Sequence, residues 1–212
     1  MDSLNRFLTP VTLEGEQVRL LPLAPQHAAG LAQASSDGRL WELWYTSVPH
    51  PDRMAQEIDW RLNEHREQRM LPFALQRKDN GALCGMSTYL HLEPRHRRLE
   101  IGATWLAKSA QGSGINTEAK FLLLQHAFEQ LDCIGVELRT HFMNHQSRAA
   151  IERLGAKLDG VLRSAQIMPD GTRRDTVVYS ILDYEWPTVR QHLRFKLMRR
   201  AQSGDAAGAQ PC

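Results

Sequence analysis

The sequence predicts a mixed α/β (α+β) domain whose single sheet begins as an antiparallel meander and then takes a crossover through a helix. Three observations carry this expectation. Three apolar runs between residues 73 and 106 are joined by short turns, and consecutive strands joined that way usually pair antiparallel. A strongly amphipathic stretch over 117–131 separates the third run from a fourth at 134–142, as a helical crossover does. Two further runs meet at the turn Pro169-Asp170-Gly171 and read as a hairpin.

The elements follow in order. Residues 1–12 show no clear period and are expected as a loose lead-in to one domain over 13–200. A β-branched and aliphatic run at 18–21 ends at Pro22 and reads as the first strand. Pro25 can start a helix, with Ala28, Leu31 and Ala32 at helical spacing. After Pro51, Met54, Ile58 and Leu62 recur every four residues among charged ones, which is an amphipathic helix. The meander then runs over 73–76, 82–92 and 99–106, with Asp79-Asn80-Gly81 as its first turn. Beyond the crossover, Asn144 caps a short helix that stops at Leu154-Gly155. Strands at 157–168 and 174–182 follow, and a last helix over 187–200 carries Val189, Leu193 and Leu197 on one side. Residues 201–212 are small and polar and are expected as a disordered tail.

Composition narrows the function classes. A chain of 212 residues with a formal net charge of +2 builds a core without staples and has no general attraction for nucleic acid. Cys84, Cys133 and Cys212 are odd in number and widely spaced, so neither a disulfide framework nor a zinc site is expected. His126 and His141 have no partners at metal-ligand spacing. No apolar run is long enough for a bilayer and residues 1–10 lack signal-peptide order. The expectation is a soluble protein of a reducing, cytoplasmic compartment without a membrane partner.

The chemistry concentrates where the strand Glu100-Ile101-Gly102-Ala103-Thr104-Trp105-Leu106 gives way to Gln111-Gly112-Ser113-Gly114-Ile115-Asn116 and a helix. A helix N-terminus offers unpaired N–H groups and a positive dipole end to a phosphate, and two glycines let the backbone approach it. Strand-to-helix turns also use glycine for geometry alone. The P-loop pattern is excluded because Ile115-Asn116 stands where it needs Lys and then Ser or Thr. The dinucleotide fingerprint is excluded because Thr117 takes its third glycine's place and the preceding strands form a meander.

What remains resembles the pyrophosphate loop of the GNAT superfamily of N-acetyltransferases, Q/R-x-x-G-x-G/A, matched from Gln111 to Ile115 with Asn116 in place of the final small residue. The resemblance spans roughly residues 13–186. It is closest to the ribosomal-protein N-terminal acetyltransferase branch, through Glu100-Ile101-Gly102, Thr117-Glu118-Ala119, His126-Ala127-Phe128-Glu129, Asn144 with Ser147, Leu154-Gly155, Asp170-Gly171, Arg174-Asp175 and Tyr179-Ser180 in that order.

The resemblance implies a mostly antiparallel seven-stranded sheet flanked by helices, with a splayed strand pair holding acetyl-CoA. It further implies direct transfer of acetyl to a primary amine, without an acyl-enzyme and without a metal. On that reading Gln111, Gly112, Ser113, Gly114, Ile115, Asn116 and Thr117 hold the pyrophosphate, and Thr104, Trp105 and Leu106 pair with pantetheine through their backbone. Asn144 bonds the pantetheine arm or serves only as a helix cap. Glu100 is the candidate base, with a strand-end ion pair to Arg97 or Arg98 as the alternative. Ser147 is the candidate donor to the leaving thiolate, standing where many relatives have tyrosine, or it satisfies local backbone. Trp41, Trp44 and Tyr45 wall the acceptor site or pack in the core. The acceptor implied is a protein or peptide α-amine or a small-molecule amine. A homodimer is compatible with this reading, and a catalytically silent coenzyme A-binding module is the alternative function. Arg95-His96-Arg97-Arg98 and the arginines from 190 to 200 read as solvated faces or as contacts to a ribose phosphate, RNA or a ribosomal surface.

Overall fold

In the computed structural model, which describes residues 3–208, the strands are β1 (Leu13–Glu14), β2 (Val18–Pro22), β3 (Met70–Arg77), β4 (Leu83–Glu93), β5 (Arg98–Leu106), β6 (Gly135–His141), β7 (Lys157–Ile167) and β8 (Arg173–Leu182). They form one sheet in the order β1-β2-β3-β4-β5-β6-β8-β7. The helices are α1 (Ser3–Leu8), α2 (Ala28–Ser36), α3 (Met54–Arg66), α4 (Ile115–Gln125), α5 (His145–Glu152) and α6 (Trp186–Gly208). Among the described residues no helix is long and apolar enough to cross a membrane.

The expected meander is present as antiparallel β3, β4 and β5. The crossover through α4 makes β5 and β6 parallel, but only through Arg98 opposite Gly135, Leu99 opposite Val136 and Glu100 opposite Glu137. Past that point β5 stays on β4 as far as Leu106, while β6 stays on β8 as far as His141. The two halves of the sheet therefore part like a V after Glu100. A bulge at the β4–β5 register shift between Met86 and Thr88 puts one extra residue into β5 there, and Ala103 has a φ of 47°. Bulges bend a strand and re-aim its backbone.

Apolar burial holds the two faces together. Met54 and Ile58 of α3 and Leu31 of α2 are fully buried against the sheet, as the four-residue spacing predicts. Leu123, Leu124 and Ala119 of α4 fill the other face, and Val189 and Leu193 of α6 are buried, with Leu197 packed beside the core. Trp186 stacks on Phe128 at 5.3 Å and donates to Glu129 from Nε1 at 3.0 Å.

Several elements differ from the sequence expectation. The described residues form eight strands rather than seven, because β1 has only two residues and is too short to show a period. The expected loose lead-in contains α1, whose Phe7 and Leu8 are buried, and the Leu8 carbonyl meets His65 Nε2 at 2.8 Å. Helix α6 continues to Gly208 into the expected tail. Residues 209–212 of that tail lie outside the described residues.

The start of α4 is anchored by one carboxylate. Glu118 is buried and accepts from the backbone N–H groups of Glu16, Gln17 and Val18 at 2.8, 2.8 and 2.9 Å. This clamps the β1–β2 turn against the helix that follows the glycine loop. Hydrogen bonds to a charged acceptor contribute about 1.5–3 kcal/mol each, and orphaned donors add to the loss. Glu118→Ala is therefore predicted to lower the denaturant-measured unfolding free energy by roughly 2–4 kcal/mol, and a loss below about 0.5 kcal/mol would contradict the clamp.

Candidate active site

The glycine loop lies at the C-terminal end of β5, at the mouth of the V. Gly112 and Gly114 take φ values of 73° and 103°, and Gly114 immediately precedes the first turn of α4. A Cβ at Gly112 would meet nothing within 4 Å, so the outer side of the turn is open. The N–H groups of Gly112, Ser113, Gly114, Asn116 and Thr117 find no acceptor among the described residues, leaving unpaired donors at a helix start. Ser113 donates its hydroxyl to the Ala110 carbonyl at 2.6 Å, which fixes the turn.

Neighbouring elements hold the loop in place. Asp37, just past α2, accepts from Ser109 N–H at 2.8 Å. Gln111 donates to the Leu106 carbonyl at 3.1 Å and accepts from Gln146 of α5 at 3.3 Å, tying the two sides of the V at its open end. Arg200 of α6 donates to the Gly112 carbonyl, and its Cδ would lie 2.9 Å from a Cβ at Gly114. The sequence offered Arg200 within a basic run read as a solvated face or as a contact to a ribose phosphate, RNA or a ribosomal surface. Its place over the loop comes from the length and packing of α6.

Inside the V, Thr104 turns its hydroxyl away to Ser87 at 2.7 Å and Lys120 Nζ at 2.5 Å. Only its backbone faces the gap between the strands. Lys120 is buried on α4, with a second bond to Ser87 at 3.3 Å. On the opposite side of β4, buried Arg61 of α3 holds Thr88 at 2.7 Å and Glu57 at 2.7 Å. The bulge is thus supported by a buried cation from each face. Across the V, Asn144 caps α5 by accepting from Ser147 N–H at 3.0 Å, so the capping alternative holds. The Ser147 hydroxyl has no hydrogen-bond partner among the described residues.

Residues 17–157 match the family described as the acetyltransferase (GNAT) domain. The chain belongs to the GNAT acetyltransferase family. It is 38% identical to YdaF of Bacillus subtilis (strain 168) over 107 residues, which are 50% of this chain and 57% of that protein. The chain thus spans little more than half the length of this relative. It is 24% identical over 167 residues to the ribosomal-protein-serine acetyltransferase of Escherichia coli (strain K12), covering 77% of this chain and 92% of that one. A crystal structure from T. thermophilus superposes with a TM-score of 0.78 at 35% identity, covering 89% of this chain and 98% of the other.

Glu100 of this GNAT chain is buried at the point where β5 and β6 part. The alternative partners read from the sequence are otherwise engaged: Arg97 bonds Asp132, and Arg98 bonds Glu137 at 3.0 Å. Glu100 Oε2 instead lies 2.8 Å from His91 Nδ1 and 3.3 Å from Arg139 Nε. The hydrogen bond to Glu100 raises the pKa of His91, whose side chain is largely exposed. His91 escaped sequence reading because it sits at an irregularity of β4, with a φ of 45°, where strand alternation fails.

The aromatic loop after α2 comes back over the end of β6. Trp44 is 55% exposed and meets His141 edge-on at 5.2 Å and Tyr45 at 5.6 Å, while Trp41 meets His50 at 5.0 Å. The core-packing alternative fails for Trp44, whose ring stands on the same rim as the opening of the V. Cys84 and Cys133 are buried, and burial pushes their thiols up to about 11 and about 12.

Lys120 carries a measurable signature. Burial pushes its ammonium down to about 7, against roughly 10.4 in an unfolded chain. Between those values the unfolded state binds more protons than the folded one, so this lysine's penalty is full below pH 7 and is relieved as pH rises. Lys120→Met is predicted to be more thermostable than the parent at pH 6.5, with the difference shrinking by pH 8.5. A difference that is constant with pH would contradict a buried ammonium held by hydroxyls alone.

Proposed function

We propose that this GNAT chain is an acetyl-CoA-dependent N-acetyltransferase acting on the α-amine of a protein or peptide. The observation that carries the reading is the parting of β5 from β6 after Glu100, with unpaired N–H donors at the end of the gap. The site fits the coenzyme: the exposed edge of β5 suits an extended chain of amides, and the open side of Gly112 suits a pyrophosphate. When bound, acetyl-CoA supplies a thioester carbonyl that an amine attacks.

The chain's residues divide the remaining work. N–H groups of Gly112, Ser113, Gly114, Asn116 and Thr117 hold the pyrophosphate, with Gln111 and Ile115 shaping the turn. Backbone groups of Thr104, Trp105 and Leu106 would pair with pantetheine, and an N–H at Trp105 or Leu106 would be the donor for negative charge on the thioester oxygen. The amide nitrogen of Asn144, whose oxygen is used as the cap, bonds the same arm. Glu100 takes the proton from the attacking amine, and His91 passes it to solvent. Ser147 offers its hydroxyl as a hydrogen-bond donor to the departing sulfur, being too weak an acid to release the proton.

An α-amine titrates near 8, against about 10.4 for lysine, so it asks less of a carboxylate base. The E. coli relative, named for a ribosomal-protein serine, supports this acceptor class. Trp41, Trp44 and Tyr45 form the wall against which the acceptor's first residues lie.

Calorimetry is predicted to show coenzyme A binding, abolished by Gly114→Val because the left-handed backbone and Arg200 exclude a branched side chain. No binding at millimolar coenzyme would overturn the reading. With labelled acetyl-CoA and a peptide panel, Glu100→Gln is predicted to lower kcat about 10²–10⁴-fold with coenzyme affinity retained. Activity should rise as His91 loses its proton, above the ordinary histidine value of about 6.5, and His91→Gln should remove that limb. Unchanged turnover in Glu100→Gln would assign the proton transfer elsewhere.

A further inference from the structure

Alternation along β6 and β8 places Glu137, Arg139 and His141 on one face of the sheet, with Thr176 opposite His141 and Arg174 two residues beyond Thr176 on the same face. Glu100 joins this face through its pairing with Glu137. The result is a polar floor running from the candidate base to the end of the sheet under the Trp44 rim. Its carboxylates are satisfied. Glu137 bonds Arg98 at 3.0 Å and Arg139 at 2.7 Å, and Glu100 meets His91 and Arg139.

Arg174 is different. It is half-buried, and its guanidinium makes neither an ion pair nor a hydrogen bond among the described residues. Its Nε is wholly shielded from solvent and has no partner. The Thr176 hydroxyl beside it is also buried and unpartnered, with the residue only 5% exposed. Asp175, next in sequence, faces away and is taken by Arg163 and by the Ser164 N–H. A guanidinium Nε shielded from solvent without an acceptor is costly, because that donor gives up water for nothing.

We propose that Arg174, with the Thr176 hydroxyl, binds a carboxylate of the acceptor, so that the acceptor is an amine carrying a carboxylate close to its nitrogen. The proposal rests on the acetyl-transfer reading above and names the acceptor class for that site. The guanidinium fork matches a carboxylate, and the attacking amine then points back along the floor towards Glu100. A single negative charge fits better than a phosphate dianion, because Glu100 and Glu137 share this floor. Electrostatics agree: burial lowers the pKa of Arg174 against the favourable pull of Glu100, and burial together with Arg174 lowers that of His141. Two sources present this chemistry, namely a free α-amino acid and a peptide whose second residue is acidic.

The test pairs turnover with a binding signal at the proposed atom. Transfer is measured with glutamate against glutamine amide, and with Ser-Glu-initiated against Ser-Gln-initiated peptides. The Arg174 Nε–H resonance is followed during titration with the same compounds. Expected is a preference of about tenfold or more for the carboxylate member of one pair, which identifies the source. Arg174→Gln should collapse that preference towards one and raise the acceptor KM, whereas Arg174→Lys should keep part of it. The Nε–H resonance should shift only with carboxylate compounds. Transfer without a carboxylate preference, or an Arg174 resonance that does not move, overturns the proposal and leaves the enzyme reading intact. No transfer to any acceptor, with a carboxylate-dependent shift of that resonance, overturns the enzyme reading and keeps the anion site.

Discussion

Backbone amides must have partners, and β5 is built to lack them on one side. From Ile101 onward every second N–H and C=O of β5 faces a gap where β6 has already turned away with β8, while the others are bonded to β4. An edge of this kind, in the middle of a sheet rather than at its rim, is a place for an extended ligand with amides of its own. The rest of the site is arranged around that edge. The glycine loop caps one end of the gap, Glu100 marks its apex, and α5 closes the far side. Gln111 and Gln146 join the two sides across the opening.

Holding the strands apart requires structure that is unfavourable in itself. Ala103 has a left-handed backbone without being glycine, a strain of about 1–3 kcal/mol. Lys120 and Arg61 are buried cations on either side of the neighbouring strand, reaching Thr104 with Ser87 and Thr88 respectively. Replacing such groups with apolar ones of similar volume often stabilises a protein. Their presence beside the bulge fits the wider pattern in which strain and buried charge collect where a binding geometry has to be kept.

The parts of this site that depend on backbone chemistry were legible in the sequence. A tight turn into a helix needs glycines at fixed offsets, and Gly112 and Gly114 take left-handed backbone in such a turn just before α4. The meander, the crossover and the Asn144 cap were legible too, because each has a local signal. Glu100 was legible as a position but not in its partners. His91 reaches it only because β4 is irregular there, and Arg139 arrives from a strand distant in the chain. Lys120 looks like any solvated lysine on an amphipathic helix until the sheet is laid against it. Arg174 appeared as one letter of an Arg-Asp pair, and its isolation emerges only when every neighbouring carboxylate has been assigned. Short or terminal elements were the other gap: β1, α1 and the end of α6 are too brief or too compositionally plain to announce themselves.

Hydrogen exchange of the backbone, with and without coenzyme A, addresses the open edge directly. The account predicts slowed exchange in residues 101–106 of β5 and 112–117 of the loop, with β1 to β3 unchanged. Protection of the loop without any change in β5 would contradict it, because the coenzyme would then be held by its phosphates alone and the parting of the strands would have another purpose.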